Sequence, residues 1–281
     1  MKKKQPILPQ PGLHAVALVA GLGLPAAALA QQANTNQTTV LPDIRVTESQ
    51  GATPFKPDVE GAVVYAGKKV SVGDLEIQPD NINNDYRRAF SQLPGLLVSE
   101  MSIPSHLNLG YRGIGDPHES EFLMTLKDGM PIGSDLFGYP TTYYTPPLQS
   151  IERVELIRGG SALLYGPQPG PKLNFVSAQP PADRRFTVTT ENAVGSHGLF
   201  STYNQISGTL DDFGYLAGFH HRQADGFRDN GDYSVFNGDL QLSLQNGERS
   251  RWSFGLYAYD SESGEAGRLS LAQVQANPDQ T

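Results

Sequence analysis

From residue 184 onward, apolar and polar positions alternate in long runs. Phe236, Gly238, Leu240, Leu242 and Leu244 share one parity, while Asn237, Asp239, Gln241, Ser243 and Gln245 share the other. Trp252, Phe254, Leu256 and Ala258 repeat the pattern against Arg251, Ser253 and Gly255, and Phe213, Tyr215, Ala217 and Phe219 do so less regularly. A period of two is that of a strand with two chemically different faces. The runs predict strands over 185–194, 199–210, 213–222, 233–245 and 250–260. About ten residues is what a tilted strand needs to cross a bilayer, whereas strands of soluble sandwiches average nearer five or six. Connections alternate too: Leu210-Asp211-Asp212 and Asn246-Gly247 are tight, and Ala224 to Asp232 is a longer polar loop. Short turns on one side and longer loops on the other mark outer-membrane barrels.

Residues 62–180 carry a different, mixed pattern. Asn84 is a helix N-cap candidate, and Tyr86, Ala89, Phe90 and Leu93 fall on one helical face ended by Pro94-Gly95. Leu107, Leu109 and Tyr111 alternate with Asn108, Gly110 and Arg112, as do Phe122, Met124 and Leu126 with Leu123, Thr125 and Lys127, which predicts half-buried strands. Asp128-Gly129 supplies a hairpin turn into Met130-Pro131-Ile132. Further strands are expected over Val154 to Arg158 and Leu173 to Val176, with a helical turn at Ser161 to Leu164 between them. Pro171 should remove a ladder donor just ahead of the last strand.

The first 30 residues read as an export signal: Lys2 to Lys4, an apolar stretch from Ala15 to Leu24, and Ala28-Leu29-Ala30 as a cleavage site. The stretch is too short for a membrane-spanning helix. Residues 31–39 repeat Gln, Asn and Thr and are expected to be disordered. Val40 to Thr47 is β-prone between flexible flanks, a strand waiting for a partner.

Charge narrows the function. Lys and Arg number 21 and Asp and Glu 29, a net charge of -8, and loss of the three N-terminal lysines makes it three units more negative. A surface this acidic argues against nucleic-acid binding. There is no cysteine, which removes thiolate metal sites and suits an oxidising compartment. No Gly-x-Ser-x-Gly, Walker loop or His-Glu-x-x-His occurs, so neither an enzyme nor a cofactor is expected. His220 and His221 are adjacent, so on a strand they face opposite ways and cannot share a metal; surface positions are expected.

The segment Ile151-Glu152-Arg153-Val154-Glu155-Leu156-Ile157-Arg158-Gly159-Gly160-Ser161-Ala162-Leu163-Leu164-Tyr165-Gly166 closely resembles the plug signature of TonB-dependent outer-membrane receptors. Arg112-Gly113 and Lys127-Asp128-Gly129-Met130-Pro131 resemble other elements of that plug, and Asp43, Ile44, Arg45, Val46 and Thr47 resemble its Ton box. The passage Leu164 to Gln168, ending in Asn174-Phe175-Val176, is most similar to ferric dicitrate receptors. The resemblance implies a mainly β chain: an α+β plug (62–180) inside an antiparallel transmembrane β-barrel, of which residues 184–281 supply about five first strands. The family barrel closes with about 22 strands. A partial sheet has unsatisfied edges in lipid, so a fragment or truncated reading frame is expected.

The resemblance further implies energised import of a ferric siderophore or related chelate at the outer membrane. The Ton box would add as a strand to the TonB protein of the inner-membrane complex. Arg112, Glu152, Arg153, Glu155 and Arg158 would lie at the plug–barrel contact. His118, Glu119, Glu121, Phe137, Tyr139, Tyr143 and Tyr144 would line the apical ligand site, packing against the barrel being the alternative for the tyrosines. Asp116, Glu119 and Glu121 crowd one apical loop, and no Lys or Arg lies between Arg112 and Lys127. That loop should disfavour a tri-acid ligand such as ferric citrate. A non-iron ligand, or a truncated chain without transport activity, is the alternative reading. Passive pores would lack these motifs, and surface signalling would need a domain where residues 31–39 stand.

Overall fold

The computed structural model describes residues 55–56, 59–60, 63–64, 70–75, 81, 84–100, 107–114, 120, 122–132, 144–166, 170–247 and 250–281. The export segment and the strand expected at 40–47 lie outside them. Two short strands, β1 (Val59–Glu60) and β2 (Val63–Val64), pair with each other. Then follow β3 (Val70–Asp74), helix α1 (Tyr86–Ala89), β4 (Leu96–Glu100), β5 (Leu107–Tyr111), β6 (Met124–Lys127), β7 (Met130–Pro131), β8 (Ile151–Ile157) and β9 (Lys172–Ser177). Strands β4 and β5 form a separate antiparallel pair. The rest make a mixed sheet in the order β3-β8-β9-β6-β7, with β6 and β9 parallel and the other neighbours antiparallel.

The helical face lands as expected. Tyr86, Ala89, Phe90 and Leu93 pack with Leu107, Leu109, Val154, Leu156, Leu173 and Phe175 in one buried cluster. The cap is shifted by one residue: the side chain of Asp85, not Asn84, accepts the Arg88 N–H at 3.1 Å. Asn84 instead sits at φ 53° and accepts the Leu148 N–H at 2.7 Å, tying the helix start to the segment before β8. Strand β5 is buried on both faces rather than half-buried, Asn108 as deeply as Leu107. So is β6, where Thr125 and Lys127 are buried along with Leu126; their partners on β9 are Leu173 and Phe175, members of the apolar cluster, and Asn174. Asp128 (φ 51°) and Gly129 (φ 80°) form the expected two-residue turn, whose paired positive φ values match hairpin twist. Pro171 stands one residue ahead of β9 and costs the ladder no donor; its carbonyl accepts the Met124 N–H.

The alternating region forms a five-stranded antiparallel meander: β10 (Thr187–Val194), β11 (Phe200–Leu210), β12 (Phe213–Ala224), β13 (Tyr233–Asn246) and β14 (Ser250–Ser263). Asp211-Asp212 is a tight turn and only three positions separate β13 from β14; residues 195–199 and 225–232 are longer loops. Register assigns the faces. Val188, Ile206, Ala217, Leu240 and Leu256 are successive cross-strand partners and form one apolar rung. The adjacent face carries Glu191, Tyr203, His220, Asn237 and Tyr259 as another. Burial runs opposite to that of a soluble sheet: Val188 and Leu256 are 59% and 57% exposed, while His220 and Asn237 are 4% and 5%. His220 is therefore an inward residue, its Nε2 3.2 Å from Ser201 Oγ, and not the surface histidine that its polarity suggests; His221 faces the other way, beside Ser234. At the long-loop end the guanidinium of Arg228 donates to the carbonyls of Gly267 (2.6 Å) and Gln280 (2.8 Å), joining two loops. Helix α2 (Leu271–Ala276) follows, closed at its start by a Ser270–Gln273 capping box.

Candidate functional site

Two polar constellations are built on the mixed sheet. The first lies on the face of β8 opposite the core. Val154 and Leu156 point into the apolar cluster, so Arg153 and Glu155 share the other side. Glu155 is 2% exposed. Its Oε1 takes Lys56 Nζ at 2.8 Å and Arg153 Nε at 3.0 Å, and its Oε2 accepts from Asn174 Nδ2 at 3.2 Å. Arg153 also pairs with Glu152. Asn174 Oδ1 in turn accepts the Gly129 N–H at 2.9 Å, which connects the cluster to the hairpin turn. Arg153 is half-buried, a position that by itself lowers a guanidinium's pKa; the two carboxylates outweigh it and hold the value above the ordinary one. Arg158, at the end of β8, donates to Ser71 Oγ at 2.7 Å. Arg112 sits in the turn after β5 at φ 50°, exposed, with its guanidinium 5.2 Å from the Tyr111 ring centre.

The second constellation joins the hairpin turn to the meander. The Asp128 carboxylate accepts three hydrogen bonds: from Ser177 N–H (2.8 Å), Ser177 Oγ (2.6 Å) and, on β14, Tyr257 OH (3.1 Å). Beside it, Lys127 is 4% exposed. Its Nζ lies 3.5 Å from the centre of the Tyr257 ring and donates to Tyr144 OH at 3.1 Å. Burial pulls Lys127 down to about 8, with Asp239 and Asp128 acting in the opposite direction. Tyr144 packs edge-on to Tyr259, ring centres 5.0 Å apart, and burial raises its phenol above the ordinary range. A cleft of about 310 Å³ opens beside the turn, lined by Asp128, Met130, Pro180, Gln241, Ser253 and Tyr257 among others.

Of the residues singled out from sequence, Glu152, Arg153 and Glu155 come together, and Arg112 and Arg158 lie apart from them. Tyr144 is turned to the meander, the packing alternative foreseen for the tyrosines. Asp43, Ile44, Arg45, Val46, Thr47, His118, Glu119, Glu121, Phe137, Tyr139 and Tyr143 lie outside the described residues. Sequence reasoning missed the contact formed by Lys127, Asp128, Tyr257, Tyr259 and Asp239. A lysine at the inward end of a strand that leads into an Asp-Gly turn was the available signal. Among the described residues, no group of three or more His, Asp or Glu side chains is arranged to hold a metal ion.

Residues 67–170 match the TonB-dependent receptor plug domain. The chain is 28% identical over 261 residues to the vitamin B12 transporter BtuB of Photobacterium profundum, covering 89% of this chain and 40% of that protein. A hemin receptor of Yersinia enterocolitica is 28% identical over 158 residues, 52% of this chain and 22% of its own. Among solved structures, the unliganded ferric citrate transporter FecA superposes with a TM-score of 0.61 at 24% identity, over 75% of this chain and 34% of that one. The copper transporter OprC gives 0.55 at 20%, over 73% and 32%. The chain thus spans about 40% or less of the length of these proteins, and at such identities the solved structures share its fold without fixing a ligand.

Proposed function

We propose that this chain, which belongs to the TonB-dependent receptors of the outer membrane, supplies the plug and the first wall strands of a receptor that imports a ferric chelate less anionic than ferric citrate. The observation that carries the reading is the pairing of the two sheets. A mixed sheet bearing Lys127 to Pro131 and Ile151 to Ile157 lies against the polar face of a meander whose other face is apolar and exposed. An apolar belt on the outside and a polar lumen filled by a folded domain is the arrangement of a plugged transmembrane barrel.

In this reading the plug closes the lumen until ligand and TonB act together. Asp43 to Thr47 pairs with TonB as an added strand, held by main-chain hydrogen bonds. Arg112, Glu152, Arg153, Glu155 and Arg158 contribute to the plug–barrel contact as charges matched within a confined interface, where an orphan charge is costly. His118, Glu119, Glu121, Phe137, Tyr139 and Tyr143 form the apical surface met by the ligand. The three acidic side chains at 116, 119 and 121 repel a tri-acid chelate and tolerate a neutral or cationic one, on whose organic part the aromatic rings stack.

The test is uptake of radiolabelled ferric chelates by cells that carry the receptor, with Ile44→Pro as the coupling variant. Proline removes a donor from the strand added to TonB. Uptake of a neutral chelate that disappears in the variant while surface binding persists supports the reading. Tight ferric citrate binding overturns the ligand class. Uptake of cobalamin or heme in place of iron chelates overturns the iron assignment, and unchanged uptake in Ile44→Pro overturns the coupling segment.

A further inference from the structure

The outward face of the meander changes chemistry along its strands. Val194–Phe200 and Ala224–Tyr233 are partners at the long-loop end, and Leu210–Phe213 and Asn246–Ser250 at the short-turn end. Counted from the short turns, the first outward rung is Leu210, Phe213, Leu244 and Trp252, and the third is Val188, Ile206, Ala217, Leu240 and Leu256. Stacked rings stand at both edges of this belt: Phe213 on Tyr215 at one, Phe219 on Phe236 at the other, each with centres 6.5 Å apart. Toward the long loops the same parity turns polar. Thr190 and Asn204 are partners; Asn192, Thr202 and His221 share the next rung; Gln223 and Ser234 share the last with Phe200. Strand β13 has 14 residues, about four more than a crossing strand needs, so its loop end stands beyond the hydrocarbon.

The polar side chains order one another. Thr190 Oγ1 donates to Asn204 Oδ1 at 2.9 Å, Asn192 Nδ2 to Thr190 Oγ1 at 3.3 Å and Asn204 Nδ2 to Thr202 Oγ1 at 2.8 Å. His221 Nε2 lies 3.4 Å from Ser234 Oγ, and its ring centre is 6.3 Å from that of Phe200. Each amide keeps donors or lone pairs to spare, and Thr190 and Asn192 are exposed. Among the described residues of the five strands, the outward parity carries no Lys or Arg, and its two carboxylates, Asp260 and Glu262, are both on β14. A surface that met phosphates would need cations there. Amides and hydroxyls beside an aromatic ring suit a sugar, which presents hydroxyls along its edge and C–H groups on its face.

We propose that Thr190, Asn192, Thr202, Asn204, His221 and Gln223 form a docking surface for the saccharide headgroup of an outer-leaflet glycolipid, bound through sugar hydroxyls and not through phosphate. The surface continues the lipid-facing belt without a break, so a lipid inserted beside the belt brings its headgroup to it. The inference rests on reading the meander as the wall of an outer-membrane barrel. Hydrogen bonds within the row hold the side chains in place before the sugar arrives, which lowers the cost of ordering them.

The full-length receptor is reconstituted in phosphatidylethanolamine bilayers containing lipopolysaccharide, lipopolysaccharide stripped of its phosphates, or phosphatidylglycerol. Lipid retained on the purified receptor is read by native mass spectrometry. Both saccharide lipids are expected to be retained, and phosphatidylglycerol is not. Thr190→Val/Thr202→Val/Asn204→Leu keeps side-chain size and removes the row of hydrogen bonds; retention should fall about tenfold. Gln223→Leu, at the rim of the row, keeps the test open if the triple variant does not assemble, and should lower retention about threefold. Retention unchanged in the variants overturns the docking surface. Retention lost with the phosphates, or on chelating divalent cations that Asp260 and Glu262 could bridge, overturns the saccharide assignment. Leu256→Arg, within the belt, examines the wall separately: if it assembles as well as the unsubstituted receptor, the wall reading itself fails. Uptake is not read, so a wrong ligand or coupling segment leaves this result intact.

Discussion

Tyr257 donates its phenolic proton to the carboxylate of Asp128 at 3.1 Å, across 129 positions of the chain. That bond makes a turn residue of the plug an anchor on the wall. Asp128→Asn keeps a residue that tolerates the positive φ of the turn but removes the charge that three donors share. Losing charge-assisted bonds should cost about 2 kcal/mol, and Tyr257→Phe, which leaves the carboxylate its two Ser177 donors, about 1 kcal/mol. Urea titration of plug unfolding in membranes, followed by protease cleavage, should rank the variants in that order; equal midpoints would show that the anchor carries no load.

Glu155 predicts a larger effect. It is buried and faces Lys56, Arg153 and Asn174 together. Glu155→Ala removes the carboxylate shared by Lys56, Arg153 and Asn174 and leaves Arg153 its pair with Glu152; breaking a buried pair from one side costs about 3–5 kcal/mol. The same urea titration should show the plug opening earlier than in any variant at Asp128. A midpoint within error of the unsubstituted protein would mean that water replaces the carboxylate without loss.

The pH dependence of plug seating has a definite sign. Lys127 titrates at about 8 when buried, below its ordinary value of 10.5, chiefly through burial. A withdrawn plug that exposes Lys127 therefore binds more protons than the seated one between those two values, so seating strengthens as pH rises through the window; below about 8 the cost of burying the ammonium is fully present and this group adds no further pH dependence. Lys127→Met should flatten that slope in a comparison of urea midpoints at pH 7.5 and about pH 10. A slope of opposite sign in the unsubstituted plug would show that another group governs.

The wall predicts an asymmetry between neighbouring positions. Leu256 is on the exposed apolar rung, at its β14 end, and Ser253 faces the lumen beside the cleft. An arginine near the bilayer midplane costs about 2–4 kcal/mol. Leu256→Arg should therefore reduce the amount of receptor assembled in the outer membrane, while Ser253→Arg assembles normally. Trp252, the chain's one tryptophan, is 69% exposed on the same belt, so its fluorescence should be quenched by brominated lipid. Absence of quenching would place that face away from the bilayer.

Much of this architecture is written in local pattern. The helical face of Tyr86, Ala89, Phe90 and Leu93, the Asp128-Gly129 turn and the five alternating strands each depend on neighbours a few residues apart, where periodicity and turn chemistry speak directly. The failures share a cause in distant contacts. Asn84 and Asp85 are both good caps, and the choice between them is made by Leu148, 64 residues away, which claims Asn84. Lys127 reads as the wet side of a half-buried strand, and it is dry because Tyr257 and Asp239 arrive from strands formed much later in the chain. His220 was misjudged for a related reason. In a soluble sheet polarity points to water, but here the polar parity faces a folded domain.

That inversion has a consequence for how the second half of the chain comes to exist at all. Aqueous collapse would gather Ile206, Leu240, Phe254 and Leu256 together and turn the sheet inside out, so water is the wrong medium in which to complete it. The ladder and the bilayer must meet in a single event. Until then the segment is safest extended, with an escort shielding those side chains, and loss of that escort should leave precipitate rather than a soluble intermediate.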